Sequence, residues 1–211
     1  MSALLPLALI AGAYLIGSIP FSWFVARLAS GKDIRTIGSG NVGATNVARS
    51  VGRVPGVIAL LLDGVKGWAA VVLAKALLAS EAWPELGRLQ DAPSFWVGVS
   101  AIAVVFGHMF PIWLGFHGGK GVATAAGVFL ALSPLAFGIA FVIFLLVWIT
   151  TRFVSLGSIL SAAAMPMALR FVQHAPFWTV IAGIVIALAI ILKHRSNIAR
   201  MVAGEEPRYP G

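Results

Sequence analysis

The chain contains no cysteine, so neither a disulfide framework nor a cysteine-bound zinc site is available to it. Charge is scarce as well: charged residues are 10% of the 211 positions, against roughly 25% in soluble domains. Carboxylates are the scarcest part, with 7 Asp and Glu beside 15 Lys and Arg. A protein-borne acid–base pair or an acidic metal site has little to be built from. Disorder is excluded because it requires low hydrophobicity. Apolar residues make up 60% of the chain, and mean hydropathy is +0.97. A soluble domain of this size could not hide that much apolar surface. The expected class is an all-α integral membrane protein. Each span needs ~20 apolar residues, which leaves room for a bundle of about seven transmembrane helices. No internal repeat, low-complexity segment or linker divides the sequence, so residues 1–211 are expected to form a single polytopic domain.

The apolar runs are Leu4–Leu28, Val54–Ala79, Phe95–Leu114, a long run from Gly121 to Ile149, Val154–Phe171 and Phe177–Leu192. The long run exceeds one ordinary span at 1.5 Å per residue. It is expected to turn at Ser133-Pro134, since proline disfavours helix in the residue before it. The first run lacks a basic leader and a small-residue cleavage signal, so it is expected to remain as a span. Basic residues collect in alternate connections: Arg27, Lys32, Arg35, Arg49, Arg53, Lys120, Arg152, Lys193, Arg195, Arg200 and Arg208. The other connections hold Lys75, Arg88 and Arg170, with Glu81, Glu85 and Asp91. Lys and Arg favour the cytoplasmic side, which puts the N-terminus outside and the C-terminus in the cytoplasm. The net charge of +8 therefore reflects topology. Nucleic acid is not an expected partner, because no basic stripe is interleaved with aromatics.

Three polar segments fall on that cytoplasmic face. The first runs Gly38-Ser39-Gly40-Asn41-Val42-Gly43-Ala44-Thr45-Asn46, followed by Arg49. The second is Gly107-His108-Met109-Phe110-Pro111, then Gly118-Gly119-Lys120-Gly121-Val122-Ala123-Thr124. The third is His194-Arg195-Ser196-Asn197, followed by Gly204-Glu205-Glu206. Glycine reaches positive φ and lets backbone N–H groups converge on an anion, helped by a following helix N-terminus. Lys120 and Arg49 add full charges. Two such loops on one face point to phosphate recognition. Asp63 and Lys66, three positions apart, share one face of the second span; a structural pair and a functional one both fit them. His108 can either bind substrate or cap a helix.

Other chemistries are missing. Glycine is absent five residues before the Gly119-Lys120 pair, where Leu114 stands, so this is not a Walker A loop. No Gly-x-Ser-x-Gly elbow occurs. No His-x4-Asp exists either: the fifth residues after the histidines are Trp113, Val122, Thr179 and Ala199. No metal-ligand spacing and no cofactor signature is present. The pattern suits a substrate that arrives already activated. A membrane transporter for a phosphorylated metabolite is the alternative, although transporters place their sites near the midplane between repeats.

Gly-Ser-Gly-Asn-x-Gly-Ala-Thr-Asn, Gly-Gly-Lys-Gly-Val-Ala-Thr and His-Arg-x-Asn with Gly-x-Glu, in this order, resemble the bacterial acyl-phosphate:glycerol-3-phosphate acyltransferases, the PlsY family. Gly17-Ser18-Ile19-Pro20-Phe21 and Asp63-x-x-Lys66-Gly67 are similar to that family too. The resemblance implies a multi-pass enzyme of the bacterial inner membrane with its active site on the cytoplasmic face. It implies transfer of a fatty acyl group from acyl phosphate to the 1-hydroxyl of sn-glycerol 3-phosphate. The products would be lysophosphatidate and phosphate, in the first step of phospholipid biosynthesis. The implied catalytic residues are Ser39, Arg49, Lys120, His194, Asn197 and Glu205. Implied substrate and phosphate contacts are Gly38, Gly40, Asn41, Gly43, Thr45, Asn46, His108, Gly118, Gly119, Gly121 and Thr124. No cofactor or metal is implied. Partners are the two substrates, the bilayer and the enzyme that makes acyl phosphate. Gly115 and His117 depart from basic positions of many members, and Val42 from a frequent Pro or Ile.

Overall fold

Proline decides where the apolar runs become helices. The computed structural model describes residues 4–79 and 92–209. Glu81, Glu85, Arg88 and Asp91, which entered the charge reading, lie outside the described residues. Helix α1 (Leu4–Ser18) stops before Pro20, and α2 (Phe21–Ser30) starts after it. Proline lacks an N–H and turns its predecessor away from helix, so the first run is broken. Gly31 ends α2 at φ +69°, the left-handed cap that glycine adopts without penalty. Then come α3 (Ala44–Ser50), α4 (Arg53–Ala79), α5 (Ala92–Met109) and α6 (Val122–Leu132).

Ser133 leaves helical geometry at φ −153°, ψ 79°, and Pro134 opens α7 (Pro134–Thr151). The long run is therefore two helices turning where the sequence indicated. Helix α8 (Val154–Met167) contains Pro166 and widens into a π turn over Ala168–Val172. A proline that cannot donate its hydrogen bond accounts for that widening. Helices α9 (Phe177–Lys193) and α10 (Arg195–Val202) complete the order. No strand occurs among the described residues.

Five stretches are long and apolar enough to cross a bilayer: Pro6–Ser30, Arg53–Ala79, Pro93–Leu114, Pro134–Thr151 and Val154–Val172. A sixth is added if α9 and α10, bent by 53°, form one span. Helix α6 has 11 residues, short of a ~30 Å hydrocarbon core. Every apolar run is helical, but five or six rather than seven reach spanning length among the described residues.

The chain divides into two compact units, Met1–Leu132 and Ser133–Gly211. In the first unit, helix backbones touch where side chains are missing. A methyl group at Gly17 would strike the Val104 carbonyl, and one at Gly127 would strike the Gly64 carbonyl. This small-residue contact holds α1 on α5 and α6 on α4 where lipid supplies no hydrophobic drive. In the second unit, α7 stacks Phe137 on Phe141 and Phe144 on Trp148, with centroids 5.8 and 6.1 Å apart. Only 11% of the α7 apolar window is buried, leaving Leu146 and Ile149 exposed. An outer face this apolar suits hydrocarbon.

Candidate active site

The first polar segment is a loop folded around one amide. Asn46, on the first turns of α3, is buried, and its Nδ2 donates to the carbonyls of Ile34 (3.2 Å), Ile37 (3.1 Å) and Asn41 (3.1 Å). Its Oδ1 accepts from the Ser39 N–H (3.0 Å) and the Ser50 hydroxyl (3.2 Å). Asn46 thus braces the loop from within. Gly38 and Gly40 take φ +59° and +69°, where other residues are strained. The Gly40 N–H donates to Ile37 at 3.1 Å, and the Gly43 N–H to Asn41 at 3.0 Å. The amides of Ser39, Gly40 and Gly43 therefore hold the loop's own shape. The side chains of Ser39 and Arg49 remain exposed on the loop and on α3, while Asn41 and Thr45 are half-buried.

Beneath the loop lies a small core of Ala26, Ile34, Val42, Val47, Ala59 and Leu114. Asp33 starts the loop by caging Arg35, with Oδ2–Nη2 2.6 Å apart, and by accepting from Trp23 Nε1 at 3.1 Å. The Arg35 hydrogen bonds hold the Asp33 carboxyl well below the usual carboxylate range, against a smaller upward push from burial.

The second segment turns back on α5. The N–H groups of Gly118 and Gly119 donate to the carbonyls of Met109 and His108, both at 3.2 Å. These two amides close the turn and bring Lys120 to the N-terminus of α6. Gly121, at φ +82°, redirects the chain into that helix. Thr124 is wholly buried, and its carbonyl lies against Gly67 of α4. That position packs helices. His108 is also buried, with Nδ1 3.4 Å from Asp63 Oδ1.

Asp63 and Lys66 pair at 2.7 Å with both side chains buried. The Ser22 hydroxyl donates to Asp63 Oδ2 at 2.6 Å. Lys66 Nζ donates to the Ile19 carbonyl at 2.8 Å, beside the Pro20 break. Ser18, Ser22, Asp63, Lys66, His108 and residues of both loops, Val42 and Gly118, line a cavity of about 10 Å³, roughly the room of one water. The first two motifs thus converge in one unit.

The third motif belongs to the second unit. His194 ends α9, and its Nδ1 faces the Ile190 carbonyl at 2.8 Å. A carbonyl only accepts, so Nδ1 carries the hydrogen and the lone pair of the neutral ring sits on Nε2. Asn197 is buried and donates to Glu206 Oε1 at 2.6 Å. Ser155 of α8 donates to the same oxygen at 2.7 Å, and Arg200 Nε to Oε2 at 2.8 Å. Burial pushes the Glu206 carboxyl up, but the Ser155, Asn197 and Arg200 donors outweigh it and leave it below the usual range. Glu205, the expected acid, is exposed. The buried carboxylate tied to Asn197 is its neighbour Glu206, the position to which the Gly-x-Glu spacing from Gly204 itself leads. Ser155 lay outside every motif and carried no local signal.

The sequence model of the family described as "Glycerol-3-phosphate acyltransferase" matches residues 7–204. A relative of that name from Geobacter sulfurreducens is 46% identical over 203 residues, covering 96% of this chain and 97% of its own. One from Desulforamulus reducens is 44% identical over 198 residues, covering 94% and 92%. Among solved structures, PlsY, an integral membrane glycerol 3-phosphate acyltransferase, is similar in its glycerol 3-phosphate form. The TM-score is 0.85 at 39% identity, covering 97% of this chain and 96% of that one. Its lysophosphatidic acid form gives a TM-score of 0.83 at 37% identity, covering 97% and 95%. With the family model running from the first unit into the second as far as residue 204, the chain belongs to the glycerol-3-phosphate acyltransferase family.

Proposed function

We propose that this protein transfers a fatty acyl group from acyl phosphate to the 1-hydroxyl of glycerol 3-phosphate at the cytoplasmic face of the bacterial inner membrane. The observation that supports the reading is the pair of glycine loops with Arg49 and Lys120 beside them, built together in the first unit of a chain whose fold is similar to a PlsY in its glycerol 3-phosphate form. The N-terminus lies outside and the C-terminus in the cytoplasm.

Acyl phosphate is a mixed anhydride, so its carbonyl needs no covalent activation by the protein. No hydrogen bond joins the Ser39 hydroxyl to an imidazole or carboxylate of its own unit among the described residues, which disfavours a serine acyl-enzyme. The glycerol hydroxyl oxygen attacks the acyl carbon directly, and the bond from that carbon to the phosphate oxygen breaks. The hydroxyl proton passes to the departing phosphate, whose second pKa of about 6 suits it. Lys120 and Arg49 bind glycerol phosphate and neutralise developing charge, and the Ser39 hydroxyl donates to the donor phosphate. His194, with its lone pair on Nε2, is the rival proton acceptor. Asn46 braces the first loop, and Asn197 with Glu206 braces the third motif.

Purified protein given acyl phosphate and labelled glycerol 3-phosphate should form lysophosphatidate and release phosphate, whereas acyl-CoA should give none. Comparable rates from acyl-CoA would defeat the donor assignment. His194→Ala separates the proton acceptors: the rising limb of the kcat/KM pH profile survives if phosphate takes the proton and vanishes if His194 does.

A further inference from the structure

The buried Asp63 cluster is not used by the chemistry above, yet it borders both phosphate loops. Asp63 lies on α4 with its side chain 1% exposed, and His108 at the end of α5 is 7% exposed. The carboxylate accepts from Ser22 on one oxygen and meets Lys66 and His108 Nδ1 on the other. His108 Nδ1 faces that oxygen at 3.4 Å, and a carboxylate paired with Lys66 can only accept. The ring is turned so that Nε2 points the other way. That way leads to the second loop: a methyl group built on Gly119 would overlap His108 Nε2 and come within 2.6 Å of the Val42 carbonyl. The ring edge, the first loop and the second loop meet within the space of one methyl group, next to Lys120.

We propose that Asp63 is a positioning residue that acts through His108. By holding Nδ1–H, it fixes the ring edge against which Gly119 closes, and so sets where Lys120 meets a substrate phosphate. Lys66 serves as the counter-ion that keeps the carboxylate ionised, and the Pro20 break supplies the Ile19 carbonyl that receives its remaining charge. The part of this concerning substrate rests on the acyltransferase reading; the part concerning the ring does not.

The ring is read first, by ¹⁵N spectra of histidine-labelled protein in lipid nanodiscs, with His108 assigned by its loss in His108→Gln. A protonated Nδ1 is expected, and an unprotonated Nδ1 overturns the proposal. Kinetics read the loop. A Gln side chain places its amide where Nε2 was, and an Asn side chain only where Nδ1 was. Gln loses the Asp63 contact and Asn loses the edge against Gly119, so each should raise KM for glycerol 3-phosphate on the order of tenfold with kcat little changed. A wild-type KM in His108→Gln overturns the proposal. Asp63→Leu combined with Lys66→Met removes the acceptor without orphaning a charge; it should raise the same KM about tenfold, and an unchanged KM in folded protein is a second refutation. If wild-type protein makes no product from acyl phosphate and glycerol 3-phosphate, the functional reading fails while the ring spectrum still decides the role of Asp63.

Discussion

Arg49 and Lys120 are the residues on which the assigned chemistry leans most. Arg49 lies on α3 just after the first loop and Lys120 at the turn before α6, and the Ser39, Gly40, Gly43, Gly118 and Gly119 amides are engaged within their own loops, so side-chain charge is assigned much of the anion binding. A charge-assisted hydrogen bond contributes roughly 1.5–3 kcal/mol. Arg49→Ala and Lys120→Ala should each lower kcat/KM by about tenfold to over a hundredfold, checked by steady-state rates with acyl phosphate. At the third motif the two adjacent glutamates should separate cleanly. Glu206→Ala removes the shared acceptor of Ser155, Asn197 and Arg200 and should cost about 3 kcal/mol, read from thermal unfolding in detergent. Glu205→Ala, on an exposed side chain, should stay within about 0.5 kcal/mol. The Glu206 carboxyl is lowered from 4.5 in the folded protein. Its contribution is therefore full above that pH and is lost as pH falls through the folded value. The gap between wild type and Glu206→Gln should narrow on acidification below about 4.5.

At the element scale, prolines and glycines do different work. Pro20, Pro134 and Pro166 set breaks, because each removes a backbone donor. Gly17, Gly64, Gly67, Gly107 and Gly127 set contact distances between helices. The breaks could be anticipated at Ser133-Pro134 from local rules alone. The contacts could not, since a glycine in an apolar run reads the same whether it faces lipid or another backbone. Gly127→Leu would press a side chain into the Gly64 carbonyl on α4 and should destabilise by about 1–3 kcal/mol. An unfolding midpoint equal to wild type would show that α6 does not rest on α4 as described.

For the whole molecule, topology is the decisive expectation, and a chain with no cysteine is well suited to test it. Single cysteines at Ser30, Gln90 and Arg208 should differ in labelling by an impermeant reagent added outside intact cells. Only the one at position 90 should react, because the basic connections stay inside. Labelling at 30 or 208 would remove the motifs from the cytoplasmic face and sink the topology.

Composition and pattern alone determined the membrane class, the order of the apolar helices, the turn at Ser133-Pro134 and the three motifs. All of these follow from local chemistry: runs of apolar side chains, a missing N–H, a glycine beside a cation. Only the tertiary structure decided which polar group does what inside those motifs. It turned Asn46 and the Ser39 and Gly40 amides inward and enclosed Thr124 between helices. It also buried Glu206 against Ser155 and Asn197, and joined Asp63 to His108 across two helices. The last two are partnerships between residues apart in the chain. A buried polar group takes its role from the partner that folding brings to it, and a local motif does not name that partner.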